Sequence, residues 1–224
     1  MENGVNIASL ERELQSFCPL ATYREGETIY RPRQHGTSAF LVRHGRVKLY
    51  HLDESGKRLT LAILGEGHLF GEMALAGHPF RETSADAMEE VTVWVIEEEA
   101  LQRHIKHYPD LALSLLKLFL QRMNEVQTRL KEMVFKDLET RLARTLFHLA
   151  ERHGFKRLDR WEIALRITHQ ELAELVGSTR ENVTTLLNRF ASEGLIAKER
   201  YHIDIVDPVR LSERASLPEV VSKN

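Results

Sequence analysis

The chain carries, at residues 167–196, the sequence ITHQELAELVGSTRENVTTLLNRFASEGLI, which has the pattern of two short helices joined by a tight turn. Thr168 followed by Glu171 predicts a capping box, in which the hydroxyl accepts from a free backbone N–H and the glutamate reaches back to the cap. Ser178 followed by Glu181 repeats this pattern ten residues later. The stretch therefore predicts two helix starts in close succession.

Each predicted helix has one apolar and one polar face. Gly177 separates the helices, and glycine tolerates the positive φ that a helix end requires. The inner faces are apolar and consist of Leu172, Ala173, Leu175, Val176, Val183, Leu186, Leu187 and Phe190. The outward face of the second helix is polar and consists of Thr179, Arg180, Glu181, Thr184, Thr185 and Asn188. This is the layout of a helix-turn-helix that inserts its second helix into the DNA major groove.

Composition limits the remaining possibilities. With 224 residues, 42% of them hydrophobic, the chain has enough apolar material for one large or two small domains. The net charge of −2 does not by itself predict a nucleic-acid partner. Evidence for such a partner must therefore come from the local placement of arginines. The single cysteine, Cys18, excludes an internal disulfide and a four-cysteine iron–sulfur site. No signal-like leader and no run of 18 apolar residues is found, so we expect a cytoplasmic protein with no membrane partner.

Residues 20–98 are predicted to be β-rich, because recurrent glycines separate short β-prone segments. The best strand candidates are residues 40–42, 47–50, 59–63 and 91–96. Asp53 to Gly56 predicts a hairpin turn between two of them. Short, evenly spaced strands favour a small sandwich or barrel.

Helical patterns follow this region. Residues 97–105 predict a short helix, and Pro109 opens a long one that runs to about Phe135 without glycine or proline. Its apolar residues recur at three- and four-residue steps, with Gln127 as the polar member, through Leu113, Leu116, Leu120, Met123, Leu130 and Val134. The stripe is either a coiled-coil seam between two copies or a face packed on its own domain, and its length favours the dimer.

The C-terminal part is predicted to be mixed. Residues 138–153 predict a helix that ends at Gly154, and the alternating apolar residues within 158–167 predict a strand. After the helix-turn-helix, residues 193–196 and 201–206 predict the two strands of a wing.

This order of elements resembles the Crp/Fnr family of bacterial transcription regulators, of the catabolite-activator type, over nearly the whole chain. The motifs that carry the resemblance are GEMAL at 71–75, THQELA at 168–173 and STRENV at 178–183. It implies an α+β fold with an N-terminal cyclic-nucleotide-binding-like β-roll, a long dimerisation helix and a C-terminal winged helix-turn-helix. The corresponding domains are residues 1–107, 108–137 and 138–224.

The resemblance implies a homodimer that binds double-stranded DNA, with two recognition helices about 34 Å apart, and that contacts RNA polymerase as an activator. Arg180 would read guanine and Glu181 would accept from a cytosine amino group. Phosphate contacts would come from Thr168, His169, Gln170, Ser178, Thr179 and Asn188. Thr184 and Thr185 complete the predicted DNA-binding set. Because Thr185 stands where many members have another base-reading arginine, we predict a TGTG-type palindrome with a relaxed requirement at one base.

The predicted effector pocket comprises Gly71, Glu72, Met73, Arg81, Thr83, Ser84, Arg122, Val126 and Gln127. Thr83 stands where cyclic-AMP binders of the family have a phosphate-binding arginine, which removes a charge-assisted contact. Arg81 is close enough in sequence to be considered as its substitute. Val126 and Gln127 replace two hydroxyl residues that would touch adenine. Both departures weaken the cyclic-AMP interpretation. Three alternatives remain: regulation without an effector, regulation by another small ligand, and regulation by cyclic AMP. The first of these is favoured.

Other functions find less support. Cys18-Pro19 and His78-Pro79 offer haem-ligand types, and His104 with His107 offers metal-ligand types, but the chain has 11 histidines and chance pairs are expected. A ligand-binding regulatory module without DNA function remains the alternative from another class. No phosphate loop, nucleophile elbow or zinc-protease motif is present, so we predict no enzyme.

Overall fold

The computed structural model contains two compact units, residues 1–127 and residues 128–224. Their boundary lies within the longest helix, Pro109–Phe135, so that this helix contributes residues to both units. The structure describes residues 6–54, 56, 58–157, 160–199 and 201–217.

The first unit is built on strands that are short and antiparallel. They are β1 (Leu20–Tyr23), β2 (Thr28–Tyr30), β3 (Ser38–His44), β4 (Val47–Leu52), β5 (Arg58–Leu64), β6 (Leu69–Phe70), β7 (Ser84–Ala87) and β8 (Val91–Glu97). Within the described residues they form two four-stranded sheets, in the orders β1-β8-β3-β6 and β2-β7-β4-β5.

Strand β3 shows why both of its faces had to be apolar. Phe40 and Val42 lie in a core that combines residues of both sheets. Ala39 and Leu41 alternate with them and lie in a second core, which includes residues from the helices of this unit. A strand covered on both sides reads as a continuous apolar run rather than as an alternation.

The four predicted strand segments are confirmed as parts of β3, β4, β5 and β8. Strands β4 and β5 pair antiparallel, as the predicted hairpin requires. Ser55 of its turn, and Lys57, lie outside the described residues. The shorter strands β1, β2, β6 and β7 were not predicted, since two to four residues give too little pattern.

Three α-helices pack in the first unit, namely α1 (Ile7–Leu14), α2 (Glu98–Ile105) and α3 (Pro109–Phe135). Glu97 is the N-cap of α2 rather than its first residue. In α3, Leu111, Leu115 and Leu118 are buried against the unit's own core. The apolar residues of the predicted seam are each at least 45% exposed, and they are Leu113, Leu116, Leu120, Met123, Leu130 and Val134.

The second unit combines helices with one small sheet. Its remaining elements are α4 (Leu138–His153), β9 (Gly154–Lys156), β10 (Trp161–Ile163), α5 (His169–Val176), α6 (Arg180–Ser192), β11 (Ile196–Glu199), β12 (His202–Ile205) and α7 (Pro208–Arg214). The described strands pair antiparallel in the order β11-β12-β10-β9. Asp137 caps α4 by accepting from the Thr140 N–H at 2.8 Å, and this bond lowers the pKa of the Asp137 carboxyl.

Two predicted strand positions were wrong in their bounds. The strand predicted within 158–167 is only β10, and Leu158 and Asp159 lie outside the described residues. The first wing strand begins at Ile196 instead of Glu193, because the chain is still completing the end of α6. Gly194 has a φ of 73°, and the Leu195 N–H bonds back to the Phe190 carbonyl.

In the part of the chain that the structure describes, no helix combines the length and the apolar character needed to cross a membrane.

Candidate functional site

Helix α5 begins and ends as its sequence predicts. The Thr168 hydroxyl accepts from the Glu171 N–H at 3.1 Å, and the Glu171 carboxylate accepts from the Thr168 N–H at 2.9 Å. The same carboxylate accepts from the Thr168 hydroxyl. Gly177 ends the helix with a φ of 69°. The first capping box and the glycine turn are therefore confirmed.

The second predicted capping box was wrong. Helix α6 begins at Arg180 with Thr179 as its N-cap, whose side chain accepts from the Asn182 N–H at 3.3 Å. Ser178 belongs to the end of α5, because its N–H bonds to the Ala173 carbonyl at 2.9 Å. This one-residue shift places asparagine, rather than glutamate, third in the helix, so the reciprocal bond of a capping box does not form.

The outward face of α6 carries the predicted base readers. Val183, Leu187 and Phe190 are buried and fix the rotation of the helix against the unit. On the opposite side, Arg180 and Glu181 are exposed at the start of the helix. Thr185 and Asn188 follow on that exposed side, and Thr184 is partly buried. The structure thus brings the predicted base readers Arg180 and Glu181 and the other predicted DNA-binding residues of α6 together on one surface.

Several polar groups of this surface already contact each other. The ring Nδ1 of His169 lies 2.9 Å from the Thr184 hydroxyl oxygen, which links α5 to α6. The Thr185 hydroxyl donates to the Glu181 carbonyl at 3.0 Å, so its proton is already used and the methyl group remains for an apolar contact. A thymine methyl is a suitable partner for such a group.

Lys198 is a member of this surface that the sequence analysis missed. It lies on β11 and its ammonium donates to the Asn188 side-chain oxygen. No local signal in the sequence points to it, because Lys198 shares the strand face of the buried Ile196 and only its long side chain reaches Asn188. A lysine at this place adds a positive charge beside a helix predicted to approach phosphates.

The electrostatics of His169 follow from its surroundings. Partial burial lowers the pKa of its ring, and the charges of Lys198 and Arg180 lower it further. Burial and the two neighbouring charges thus favour the neutral form of the ring in the protein without DNA.

In the first unit, the predicted effector residues Gly71 to Met73 form the start of a short 3-10 helix, Glu72–Ala76. Gly71 adopts a φ of 70°. Ser84 is buried on β7, and Thr83 forms a hydrogen bond with Tyr30, whose hydroxyl pKa is raised by burial.

Arg81 is held inside this unit. Its Nη1 donates to the Gly71 carbonyl at 2.7 Å and its Nη2 donates to the Ser38 carbonyl at 2.5 Å. The guanidinium lies 4.6 Å from the Tyr30 ring centroid and 5.6 Å from that of Phe40. Burial lowers its pKa from the usual arginine value. The side chain thus ties the Gly71 turn to β3.

Two glycines leave the space that Arg81 occupies. A Cβ at Gly36 would lie 2.6 Å from the Arg81 guanidinium, and one at Gly71 would lie 2.9 Å from it. The fit between glycine and arginine supports a structural role for this side chain.

The three α3 members of the predicted pocket differ in their surroundings. Val126 and Gln127 are exposed on the helix. Arg122 lines a cavity of about 220 Å³, together with Ile7, Gly67, His68, Leu69 and other residues. The remaining predicted effector residues do not line this cavity.

The alternative ligand types have structural surroundings of their own. Cys18 is buried, and desolvation, followed by the charge of Glu97, raises the pKa of its thiol to about 12. His104 stacks on Phe17 at 3.8 Å between centroids and lies 3.3 Å from the Ser16 hydroxyl. Among the described residues, no three His, Cys, Asp or Glu side chains group as metal ligands.

Comparison with known families matches both units. A model of the cyclic nucleotide-binding domain matches residues 20–108, and a model of the Crp-like helix-turn-helix domain matches residues 140–214.

Individual relatives match over almost the full length. The cyclic AMP receptor protein of Thermus thermophilus is 32% identical over 200 residues, which cover 89% of this chain and 89% of the relative. A CRP-like cAMP-activated global transcriptional regulator of Mycobacterium tuberculosis is 29% identical and covers 93% and 92%. The solved structure of a CRP/FNR family transcriptional regulator, also from Thermus thermophilus, matches with a TM-score of 0.73 at 31% identity, over 88% of this chain and 98% of that one.

The β-rich unit, the long helix and the helix-turn-helix unit follow one another in the order that these matches imply. The chain belongs to the CRP/FNR family of DNA-binding transcription regulators.

Proposed function

We propose that this regulator binds, as a homodimer and without a small-molecule effector, to a TGTG-type palindrome and activates transcription there. The observation that carries the proposal is the exposed Arg180–Glu181 pair at the start of α6. An arginine can pair with both acceptors of guanine, and a glutamate can accept from cytosine.

The two sides of α3 support the dimer. The helix uses Leu111, Leu115 and Leu118 for its own unit, and these are different residues from the exposed seam. A long apolar stripe that the chain itself leaves exposed is typical of an interface. A second copy supplies the matching stripe, since coiled-coil seams pair like with like.

Phosphate contacts are proposed for the residues around α6, which is the reading helix, that is, the helix proposed to enter the major groove. They come from Thr168, His169, Gln170, Ser178, Thr179 and Asn188, with Thr184 and Thr185 closer to the bases. Because hydroxyls of Thr168 and Thr179 already serve as caps, the backbone N–H groups at the helix starts are the stronger donors to phosphate.

The absence of an effector requirement rests on the sensor unit. Thr83 is a neutral residue bonded to Tyr30, and the nearby Arg81 is committed to the Gly71 and Ser38 carbonyls. Neither supplies the exposed arginine fork that a cyclic phosphate would favour. Val126 and Gln127 likewise offer no hydroxyl to a purine.

A second candidate is regulation by cyclic AMP, favoured by the match of residues 20–108 to the cyclic nucleotide-binding domain and by the names of two relatives. Titration calorimetry with cyclic AMP separates the candidates. The effector-free proposal predicts no binding heat, whereas a saturable nucleotide site would support the second candidate.

Gel shifts on duplex DNA test the DNA part of the proposal. We expect a TGTG palindrome to bind far more tightly than a scrambled duplex, with an affinity that falls steeply as salt rises. The Arg180→Ala variant should lose roughly 1–3 kcal/mol of binding free energy per half-site on the palindrome, and little binding free energy on scrambled DNA. Equal affinity for both duplexes in the wild type would contradict sequence-specific binding.

In-vitro transcription with RNA polymerase tests the sign of regulation. The proposal predicts more transcript from a promoter that carries the palindrome upstream, and a decrease would identify a repressor instead.

A further inference from the structure

The end of α5 is closed by arginines from other helices. The last four carbonyls of an α-helix have no partner within the helix. That of Ala173 accepts from the Ser178 N–H at 2.9 Å, and that of Val176 accepts from Arg141 Nε at 3.0 Å. The two carbonyls between them belong to Glu174 and Leu175.

Those two carbonyls are bound by Arg129 of α3. Its Nη2 donates to the Leu175 carbonyl and lies 3.5 Å from that of Glu174. A cation at a helix C-terminus is favoured by the helix dipole, and charged donors form the stronger hydrogen bonds. Next to it, a Cβ on Gly177 would lie 3.0 Å from the Met133 methyl, so α3 also approaches the turn between α5 and α6.

A second contact holds the same end of α3. Glu132 pairs with Arg144 at 2.9 Å, and Arg144 donates to the Ala215 carbonyl at 2.6 Å and the Ser216 carbonyl at 2.8 Å. The last turns of α3 are thereby attached to the end of α5 and, through Arg144, to the end of α7.

Another side of these turns is exposed and apolar. Leu130 is 61% exposed and Val134 is 66% exposed. Arg129 is adjacent to Leu130, so one short segment contains both a residue of the predicted seam and the contact to the end of α5, next to the turn between α5 and α6. The path from the seam to α6 therefore runs through Arg129, the end of α5 and Gly177, all within the second unit.

We infer that Arg129 is a positioning residue for DNA recognition: it sets the separation of the two reading helices and thus the half-site spacing that the dimer accepts. This inference rests on the proposed function, in which two copies read one palindrome. A dimer with firmly attached reading helices accepts one spacing, because half-sites lie on successive turns of DNA. A loosened attachment tolerates several spacings with less affinity for the best one.

The test uses full-length protein and a series of TGTG palindromes whose spacers differ by single base pairs. Wild type should bind the best spacing about tenfold more tightly than its neighbours, and Arg129→Ala should reduce that preference to about twofold. Lys131→Ala removes an exposed charge from the same helix and should behave as wild type. Arg129→Lys keeps one cation but not the fork, and an intermediate preference is expected.

Sedimentation and thermal unfolding of each variant separate positioning from folding. If Arg129→Ala does not fold, Arg129→Lys carries the test alone. A wild-type spacing preference in the folded variant, with affinity lost equally at every spacing or not lost at all, overturns the inference. A wild type that binds no palindrome of the series overturns the proposed function and the inference with it.

Discussion

At the scale of single residues, the side chains on the outward face of α6 differ in the contacts they already make within the protein. Arg180 and Glu181 are exposed at the start of α6, where a groove-entering helix contacts base edges. The Thr185 hydroxyl donates to the Glu181 carbonyl, which leaves the methyl as the group we propose for a base contact. In the proposed complex, base recognition in each half-site rests on these two polar side chains and the Thr185 methyl group.

Thr185→Arg should tighten recognition at the base that Thr185 faces. An arginine there can pair with both acceptors of a guanine, which is worth about 1–3 kcal/mol of discrimination against other bases. Binding-site selection with both proteins measures this difference. Thr185→Ser keeps the hydroxyl without the methyl and should not acquire the guanine preference. An unchanged base profile for Thr185→Arg would mean that this position does not face a base.

His169 should make DNA affinity depend on pH. Its pKa lies below the usual histidine value, mainly because of burial and then because of Lys198 and Arg180. A DNA phosphate beside the ring favours its charged form, so binding takes up a proton and affinity should rise from about pH 7.5 to about pH 5.5. Anisotropy titrations across this range measure the rise.

His169→Gln should flatten this rise, whereas His202→Gln, on the exposed side of the wing, should keep it. Equal pH dependence in wild type and His169→Gln would show that the ring does not approach a phosphate.

At the scale of elements, the turn between α5 and α6 divides the end of one helix and the start of the next between two neighbouring residues. Ser178 completes α5 and Thr179 starts α6. Thr179→Ala should lower the free energy of unfolding by about 1 kcal/mol, because a side-chain N-cap is lost. Ser178→Ala removes a hydroxyl that is not a cap and should cost less than about 0.5 kcal/mol.

Urea unfolding of both variants, without DNA, provides this comparison. A larger loss in Ser178→Ala than in Thr179→Ala would place the start of α6 one residue earlier.

Local patterns predicted most elements, but contacts between distant residues were not predictable. The long helix, the first capping box and the strands β3, β4, β5 and β8 follow from periodicity and propensity within a few residues. The contacts of Arg129 with the end of α5 join residues 45 and 46 positions apart. No local signal distinguishes such an arginine from a solvated one.

The sensor shows the same limit at Arg81. Its spacing from Thr83 made it a candidate for the effector pocket, whereas its side chain lies between rings and main-chain carbonyls. The space it needs depends on Gly36 and Gly71, which are far apart in sequence. Burial of an arginine is unusual enough that sequence alone favours the exposed alternative.

At the scale of the whole molecule, we propose that the chain combines a DNA-binding unit of the family's type with an effector unit that has lost nucleotide contacts. Both units match their family models, and the reading helix carries Arg180 and Glu181. Pairing through the proposed dimer seam would supply a second reading helix for the second half-site. By the family resemblance, Thr83, Val126 and Gln127 are predicted to stand where a cyclic nucleotide would need stronger contacts. We therefore propose that activity is controlled by the amount of protein rather than by a bound nucleotide.

The affinity of full-length protein for a TGTG palindrome, measured by fluorescence anisotropy with and without saturating cyclic AMP, tests this account most directly. The account predicts a Kd of about 10⁻⁸ M or tighter without nucleotide, and a change of less than about twofold when cyclic AMP is added. Weak binding without the nucleotide, with a gain of about 100-fold in its presence, would contradict it.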